Sequence, residues 1–304
     1  MNKVCIIGCG NVGMAYAHEL ALKATFVEEL VLIDIDEQRA KGEALDLMHT
    51  MPFADNFMLI RSGDYTECAN ANLVVITAGK NQKKGGETRQ ELFKTNAKIV
   101  TSVIKQAEQA GFTGVYLIAT NPVDVVTYVA CTKCGVSASR IIGSGTTLDS
   151  ARLKYAIGMR LGINPRSVNA YVLGEHGDSE FVAWSVSSIS GANLSATLDE
   201  GVKSEIEKQV VNSAYEIIDA KGYTNFGVGA CLYAITKAIL CNENEVFTAS
   251  TLNVNEDMCY SAPVIIGANG IVNKIILDLS TTEKQKLSES IKSLRNCYKT
   301  LNQN

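Results

Sequence analysis

The sequence predicts an α/β fold in which a doubly wound parallel sheet is followed by an α+β domain. Short, almost continuously apolar runs recur in the first half of the chain, with helical patterns between them, at 3–7, 30–35, 73–78, 115–119 and 141–142. Strands of this composition are buried on both faces, as in a parallel sheet covered by helices. After about residue 145 the runs become shorter and alternate with polar residues. We therefore expect one domain over 1–144 and a second over 145–304.

The elements follow one another closely along the chain. The strand over 3–7 ends in a glycine-rich turn that leads into a helical pattern, and a second helix spans about 37–48. In the second domain we predict a helix over 149–162, short strands within 167–174 and 184–191, helices over 199–220 and 226–240, a hairpin over 259–277 and a closing helix over 282–301. The hairpin turns at Ala268-Asn269-Gly270, because Asn-Gly is a strong turn signal.

The charge balance narrows the classes of partner. The 304 residues include 28 Lys and Arg against 32 Asp and Glu, which gives a net charge of −4, and no basic run forms a patch. This argues against nucleic acid and anionic membrane surfaces. The N-terminus lacks the pattern of a signal peptide, and no apolar segment approaches the roughly eighteen residues of a membrane span. We expect a cytoplasmic protein that acts on a small molecule.

The nine cysteines are scattered along the chain. Cys131 and Cys134 form a CxxC pair, which raises the possibility of metal or redox chemistry. No second pair or nearby histidine completes a zinc set, and the pair falls in a predicted helix. We therefore expect reduced, packed thiols and no metal site.

The glycine-rich turn after the first strand has the full context of a dinucleotide site. It reads GCGNVG from Gly8 to Gly13, and Asp34 follows at the end of the second strand. Gly8 permits the tight turn, Gly10 lets the backbone approach a pyrophosphate, and Gly13 lets the helix pack on the sheet. Asp34 would accept from ribose hydroxyls and repel a 2′-phosphate. The sequence thus predicts a Rossmann-type domain that binds NAD rather than NADP.

His176 is one of three histidines and stands in VLGEHGDSEF, residues 172–181. Many histidines are only half-buried and hydrogen-bonded, without a chemical role. A nicotinamide cofactor changes this expectation, because reducing a carbonyl needs a proton that an imidazole supplies near neutral pH. A buried aspartate stabilises the charged ring, and Asp149 is the candidate. Arg152 shares a helix face with Asp149 and suits a substrate carboxylate.

A polar, glycine-rich segment, AGKNQKKGGETRQELF, spans residues 78–93 after the third apolar run. Open α/β sheets bind ligands at loops beyond the carboxyl ends of their strands. Arg89, near the end of this segment, would then polarise a carbonyl while closure of the loop excludes water. The alternative interpretation is a solvated loop with a surface arginine.

These motifs together resemble the lactate/malate dehydrogenase family over essentially the whole chain. The family's markers stand here as GCGNVG (8–13), Asp34, ITAG (76–79), GETR (86–89), ATNPVD (119–124), GSGTTLDSAR (143–152), GEHGDS (174–179) and KGYTNFGVG (221–229). So many motifs in one order make the resemblance specific.

The resemblance implies roles that agree with the chemistry above. His176 would donate and accept the proton, paired with Asp149. Arg152 would bind the substrate carboxylate, and Arg89 would polarise the reacting carbonyl as loop 80–92 closes.

The resemblance also implies the remaining contacts. Asn121 and Thr224 would line the substrate pocket. The residues that would contact NAD are Gly8, Gly10, Asn11, Val12, Gly13, Asp34, Arg39, Tyr65, Ala78, Gly79, Ala119, Thr120, Asn121 and Ser144. A homo-oligomer, tetramer or dimer, is implied as well.

The early part of the loop, residues 81–84, indicates which substrate the protein takes. Family members that reduce oxaloacetate usually have an arginine there, which meets the second carboxylate, whereas this chain reads Asn81-Gln82-Lys83-Lys84. Gln82 matches the lactate-type pattern, and Thr224 is also lactate-like. An uncharged amide would leave a second carboxylate desolvated and unpaired. We therefore expect pyruvate to be reduced to (S)-lactate, in the fermentation that follows glycolysis.

Two alternatives stay open, because the loop is one residue longer than usual in bacterial members. A shifted register would bring Lys83 to the substrate, which would favour a dicarboxylate as in malate dehydrogenases. A longer loop also makes room for a bulkier 2-keto acid of the 2-hydroxyisocaproate type. FVAW (181–184) and GFTGV (111–115) are similar to segments of branched-chain 2-hydroxyacid dehydrogenases.

Regulation by fructose 1,6-bisphosphate is expected to be weak or absent. Activated bacterial members typically pair an arginine and a histidine at the positions that hold Lys154 and Tyr171 here. Lysine keeps the charge but loses the fork, and tyrosine supplies no cation.

A binding protein without activity is the competing class of function. An idle relative tends to lose part of the proton, anion or carbonyl chemistry. All four groups are present here as His176, Asp149, Arg152 and Arg89. The sequence therefore favours an NAD-dependent enzyme.

Overall fold

The computed structural model describes residues 2–80 and 89–302, with the backbone alone for residues 89–90 and 301–302. Gln82, Lys83 and Lys84 lie outside the described residues, and so does the side chain of Arg89. The predictions that depend on them therefore remain predictions.

The first half of the chain alternates strands and helices. In order these are β1 (Lys3–Ile7), α1 (Asn11–Lys23), β2 (Glu29–Ile33), α2 (Glu37–Met48), β3 (Leu59–Ser62), β4 (Leu73–Ile76), α3 (Arg89–Gln109), β5 (Val115–Ile118), α4 (Val123–Lys133) and β6 (Ile141–Gly143). The six strands are parallel in the order β3-β2-β1-β4-β5-β6. This is the strand order of a dinucleotide-binding sheet, and the predicted Rossmann-type fold is confirmed.

The second half of the chain mixes helices with short and long strands. In order these are α5 (Thr147–Leu161), β7 (Val168–Asn169), β8 (Val172–Leu173), β9 (Phe181–Val182), β10 (Ser188–Ile189), β11 (Ala192–Asn193), α6 (Leu194–Thr197), α7 (Glu200–Lys221), α8 (Phe226–Leu240), β12 (Glu245–Asn253), β13 (Met258–Gly267), β14 (Gly270–Lys274) and α9 (Thr281–Asn302). The predicted helices and the hairpin of β13 and β14 are present. The segments 167–174 and 184–191 each contain only two-residue strands, so they are more broken than predicted.

The hairpin of β13 and β14 belongs to the same sheet as the parallel strands, because β12 connects the two. Ser250 of β12 pairs antiparallel with Gly143 of β6, and β13 and β14 follow outward. The sequence did not reveal β12, since its buried residues include Thr248, Ser250 and Thr251 rather than a continuous apolar run. The short edge strand β3 was missed as well.

The sheet is covered on both faces, as the apolar strands predicted. In β1, Val4 and Ile6 pack into one core with α1 and α8, whereas Cys5 and Ile7 pack into another with α3. Gly229 of α8 lies against the backbone of α1, where an added Cβ would come within 3.0 Å of Tyr16 N. The second half of the chain therefore packs tightly on the first. Within the described residues, no helix has the length and apolar character needed to cross a membrane.

Candidate active site

The predicted nucleotide contacts gather at one edge of the sheet. Gly8, Asp34, Ala78, Ala119 and Ser144 follow β1, β2, β4, β5 and β6, all at the carboxyl ends of parallel strands. This is the edge at which open α/β sheets bind ligands. The edge thus collects residues from five separate segments of the chain.

The geometry of the glycine turn fits a bound pyrophosphate. Gly8 has φ +109°, and a Cβ there would lie 2.5 Å from Ala78 N; at Gly13 it would lie 2.1 Å from Gly8 O. At Gly10 an added Cβ would meet no protein atom within 4 Å. Gly8 and Gly13 are therefore required by packing, while the backbone at Gly10 faces open space at the N-terminus of α1. No acidic residue lies in the first turn of that helix, which favours an anion there.

Asp34 already holds the backbone of this site. Its Oδ2 accepts from Cys9 N at 2.6 Å and its Oδ1 accepts from Asp36 N at 3.0 Å. Each carboxylate oxygen has a second lone pair, so ribose hydroxyls can still donate to Asp34. The residue can orient the glycine turn and the sugar together.

The other predicted cofactor contacts differ in exposure. Asn11, Arg39, Gly79 and Asn121 are exposed, whereas Val12, Tyr65, Ala78, Ala119 and Ser144 are partly buried. Thr120 is buried, and its hydroxyl donates to Ala78 O at 2.7 Å. Thr120 thus joins the segments after β4 and β5 through its side chain.

Asn96 makes a second connection at this edge, which the sequence did not reveal. Its Oδ1 accepts from Lys80 N at 2.8 Å, and its Nδ2 donates to Asn121 O at 2.7 Å and to Lys80 O at 3.1 Å. Asn96 is 1% exposed. No local signal marks an asparagine in the middle of α3, because both partners are distant in sequence.

His176 lies in the turn between β8 and β9, which three elements hold from outside. Gly174 exchanges two backbone hydrogen bonds with Ser261 of β13, and Glu175 N donates to Ser290 Oγ of α9 at 2.7 Å. Asp124 Oδ2, from α4, accepts from His176 N at 2.7 Å. The position of the imidazole is therefore set by residues far away in the chain.

Asp149 joins His176 and Arg152, and it shares a helix face with Arg152 as the spacing predicted. Its Oδ2 lies 2.7 Å from His176 Nδ1, and its Oδ1 accepts from Arg152 Nη1 at 2.7 Å. Asp149 is 2% exposed. Burial opposes its ionisation, but the two facing cations outweigh burial and hold the pKa of Asp149 below its usual range. The carboxylate therefore stays charged where a charge is costly.

Asp149 also determines the protonation state of His176. Burial disfavours the charged imidazole, but the charge of Asp149 and its hydrogen bond outweigh burial and raise the pKa of His176 to about 9. The ring is thus protonated at neutral pH and able to give up a proton. Because Nδ1 faces Asp149, Nε2 is the nitrogen left for a substrate.

Arg152 borders open space beside this pair. A cavity of about 290 Å³ lies between α5 and α7 and is lined by Arg152 together with Leu148, Ala151, Tyr155, Gln209 and Ser213. Among the described contacts, Arg152 hydrogen-bonds only to Asp149. The rest of its guanidinium is therefore available for a carboxylate from the cavity.

The structure describes some of the residues predicted to contact the substrate, but not all of them. Thr224 is half-buried in the connection between α7 and α8, close to the place where Gly227 packs on Leu148, next to Asp149. Asn121 follows β5 at the sheet edge. Arg89 begins α3, but its side chain and Gln82 lie outside the described residues.

Two acids near His176 had no role in the sequence interpretation. Asp124 stands in ATNPVD and is 1% exposed; burial raises its pKa to about 6. Glu180 stands in VLGEHGDSEF and lies close to both His176 and Asp149. Asp124 ends the marker ATNPVD and Glu180 directly follows the marker GEHGDS, but only the fold shows that they face the histidine.

A nucleotide-binding sheet edge beside a charged imidazole and a guanidinium is the arrangement of a dinucleotide-dependent oxidoreductase. Residues 2–143 match the lactate/malate dehydrogenase NAD-binding domain, and residues 146–303 match the lactate/malate dehydrogenase α/β C-terminal domain. The chain therefore belongs to the lactate/malate dehydrogenase family. Its N-terminal part is the NAD-binding domain of that family.

Individual relatives match the chain over nearly its full length. L-lactate dehydrogenase 2 of Bacillus cereus is 42% identical over 97% of this chain and 96% of its own. A lactate dehydrogenase from a Medee basin deep-sea metagenome library is 42% identical, covers 99% of both chains and has a TM-score of 0.96. The ligand-bound minor L-lactate dehydrogenase of Enterococcus mundtii is 39% identical, covers 100% of this chain and 99% of its own, and also has a TM-score of 0.96.

Proposed function

We propose that the protein is an NAD-dependent L-lactate dehydrogenase (EC 1.1.1.27) that interconverts pyruvate and (S)-lactate. The main support for this proposal is the position of the Asp149 carboxylate, which lies 2.7 Å from His176 Nδ1 and 2.7 Å from Arg152 Nη1. It aligns a proton donor and an anion-binding group on one side of a dinucleotide site. The names of the similar proteins support the lactate assignment.

In this proposal His176 is the proton donor and acceptor. The protonated ring donates from Nε2 to the oxygen of the keto group, and it takes the proton back when lactate is oxidised. Asp149 fixes the ring through Nδ1 and stabilises its charge, so the ring has one orientation and the correct nitrogen faces the substrate.

Arg152 binds the substrate carboxylate. One N–H of its guanidinium is fixed to Asp149, which limits the rotation of the side chain. The other N–H groups then meet the carboxylate in a defined geometry, so the keto carbon lies beside the imidazole.

The cofactor site fits NADH. When bound, NADH supplies the hydride for the keto carbon. Gly8 and Gly13 shape the turn, Gly10 would admit the pyrophosphate, and Asp34 would bind the ribose. In the proposal Arg89 closes with its loop to polarise the carbonyl and exclude water.

Steady-state kinetics with three keto acids test the substrate. We expect NADH oxidation at pH 7 to show a kcat/KM for pyruvate about a hundredfold above those for 4-methyl-2-oxopentanoate and oxaloacetate, roughly 2.7 kcal/mol of transition-state preference. A lead for oxaloacetate would mean that Lys83 faces the substrate. A lead for the branched acid would mean that the longer loop has enlarged the pocket.

Three further expectations belong to the proposal. We propose a domain boundary at residues 144/145, a homotetramer as in the family, and a cytoplasmic enzyme that serves glycolytic fermentation. The change of pattern after β6 supports the boundary. Size-exclusion chromatography with light scattering measures the oligomer.

A further inference from the structure

Glu180 brings a third carboxyl group to the acid–base centre. A carboxylate oxygen of Glu180, a ring nitrogen of His176 and a carboxylate oxygen of Asp149 all lie within 4.8 Å of one another. Glu180 N donates to Gly177 O at 3.1 Å, so the turn that carries the histidine also fixes this residue. The mechanism above gives Glu180 no role.

We infer that Glu180 is a positioning residue whose carboxyl group must carry a proton for a substrate carboxylate to bind to Arg152, because an ionised Glu180 repels that carboxylate. The inference rests on the proposed function. It concerns the charge of the anion site and adds no step to hydride transfer.

The charges of the site give the reason. When Glu180 is ionised, Asp149 and Glu180 together balance the cations of His176 and Arg152. A keto acid adds another negative charge against the same cations, and an ionised Glu180 repels it. Burial and the facing Asp149 raise the pKa of Glu180 to about 8, against the opposing effect of the two cations. Glu180 is therefore mostly neutral near pH 7, and its repulsion of the substrate begins as pH rises through about 8.

The other charged groups around Glu180 lie on four helices and in the histidine turn. The charged groups that face Glu180 or its neighbours are Asp124 on α4, Asp149 and Arg152 on α5, His176 in the turn, Glu207 and Lys208 on α7, and Lys286 and Glu289 on α9. The four on α7 and α9 line a cavity of about 440 Å³ together with Glu180. Two of these four are acids and two are bases, so they balance in sign.

The pH dependence of kcat/KM for pyruvate tests the inference. On the alkaline side the wild type needs a proton on both His176 and Glu180, so kcat/KM falls more steeply than about tenfold per pH unit. Glu180→Gln needs only the histidine proton, so its slope is about tenfold per pH unit. At pH 6, where Glu180 is already neutral, the two enzymes agree within about twofold.

Titration of His176 by NMR gives a readout that does not depend on turnover. The other histidines are His18 and His49, and the spectrum of His176→Asn assigns the signal of His176. Because an ionised Glu180 favours the imidazolium, Glu180→Gln lowers the pKa of His176.

Glu289→Gln is the matched control. Glu289 is exposed on α9 and lines the same cavity, so its removal takes away the same charge without touching the catalytic centre. This variant keeps the wild-type slope. Parallel profiles for wild type and Glu180→Gln would overturn the inference, as would an unchanged pKa of His176. Absence of pyruvate turnover in the wild type would refute the proposed function alone, and the NMR titration would still decide whether Glu180 acts on the histidine.

Discussion

The Asp124 carboxylate accepts a 2.7 Å hydrogen bond from the backbone N–H of His176 across 52 positions of sequence. Asp124 also accepts from Ser261 Oγ at 3.4 Å, so α4, β13 and the histidine turn meet at one buried carboxylate. The proton donor is thus held twice: Asp124 holds its backbone and Asp149 holds its ring.

This relationship predicts different results for two substitutions of Asp124. Asp124→Ala leaves the His176 N–H without an acceptor, at a cost of about 1–3 kcal/mol in the free energy of unfolding, and lowers kcat. Asp124→Asn keeps an acceptor, so this variant retains most of the stability and most of the kcat. Urea denaturation and pyruvate kinetics at pH 7 compare the two. Equal losses in both variants would show that the charge of Asp124, not its hydrogen bond, is required.

The His176→Asn variant separates binding from chemistry. Removal of the proton donor should lower kcat by orders of magnitude, because asparagine cannot exchange a proton near pH 7. NADH binding, measured by fluorescence titration, should stay nearly intact, since the nucleotide residues lie at the sheet edge. Turnover near the wild-type rate would exclude the proton-transfer role.

Asp149→Asn should move the pH dependence of both activity and stability. Without the carboxylate, burial lowers the pKa of His176, so the alkaline decline of pyruvate reduction begins more than one pH unit lower than in the wild type. The raised pKa of the wild type stabilises the fold below about pH 6.5, the unfolded value, and this stabilisation is lost as pH rises through about 9. Thermal unfolding between pH 6 and 9.5 measures the loss. Asp178→Asn, an exposed acid of the same turn, should behave as the wild type.

Asp34 should set the cofactor preference. Asp34→Ser removes the charge that repels a 2′-phosphate, so the ratio of kcat/KM for NADH over NADPH should fall by about tenfold or more, roughly 1.4 kcal/mol. Asp36→Ser is the matched control, because Asp36 caps α2 through Arg39 N and serine also caps helices. A ratio unchanged in Asp34→Ser would show that Asp34 acts only on the backbone of the glycine turn.

Fructose 1,6-bisphosphate should change the KM for pyruvate by less than tenfold. Lys154 is half-buried, and burial lowers its pKa although Glu245 faces it; Tyr171 is half-buried as well. Neither supplies the fork of an arginine to a phosphate. Kinetics with and without the bisphosphate decide, and a tenfold or larger fall in KM would refute the expectation.

The local part of the site could be predicted from sequence. The glycine turn with Asp34 and the pair of Asp149 and Arg152 depend on spacing within one or two elements, and the structure places them as expected. The helix period alone brings Asp149 and Arg152 to one face. The parallel sheet likewise follows from apolar runs separated by helices, although the order of its strands does not.

What depends on distant packing could not be predicted. No local pattern predicts that β12 joins the parallel sheet, because its buried residues include Thr248, Ser250 and Thr251 in place of a continuous apolar run. The hydroxyl of Thr248 meets its partner, Ser150 of α5, only in the folded chain. Asn96 was missed for the same reason, since its partners lie 16 and 25 positions away.

The sequence by itself determined the family, the nucleotide edge and the residues able to carry a proton and bind an anion. Only the tertiary structure decided that Asp124 and Glu180 also face the histidine. The reason is physical: periodicity and turn chemistry act over a few residues, whereas the charge state of a buried imidazole is set by every group that folding brings near it.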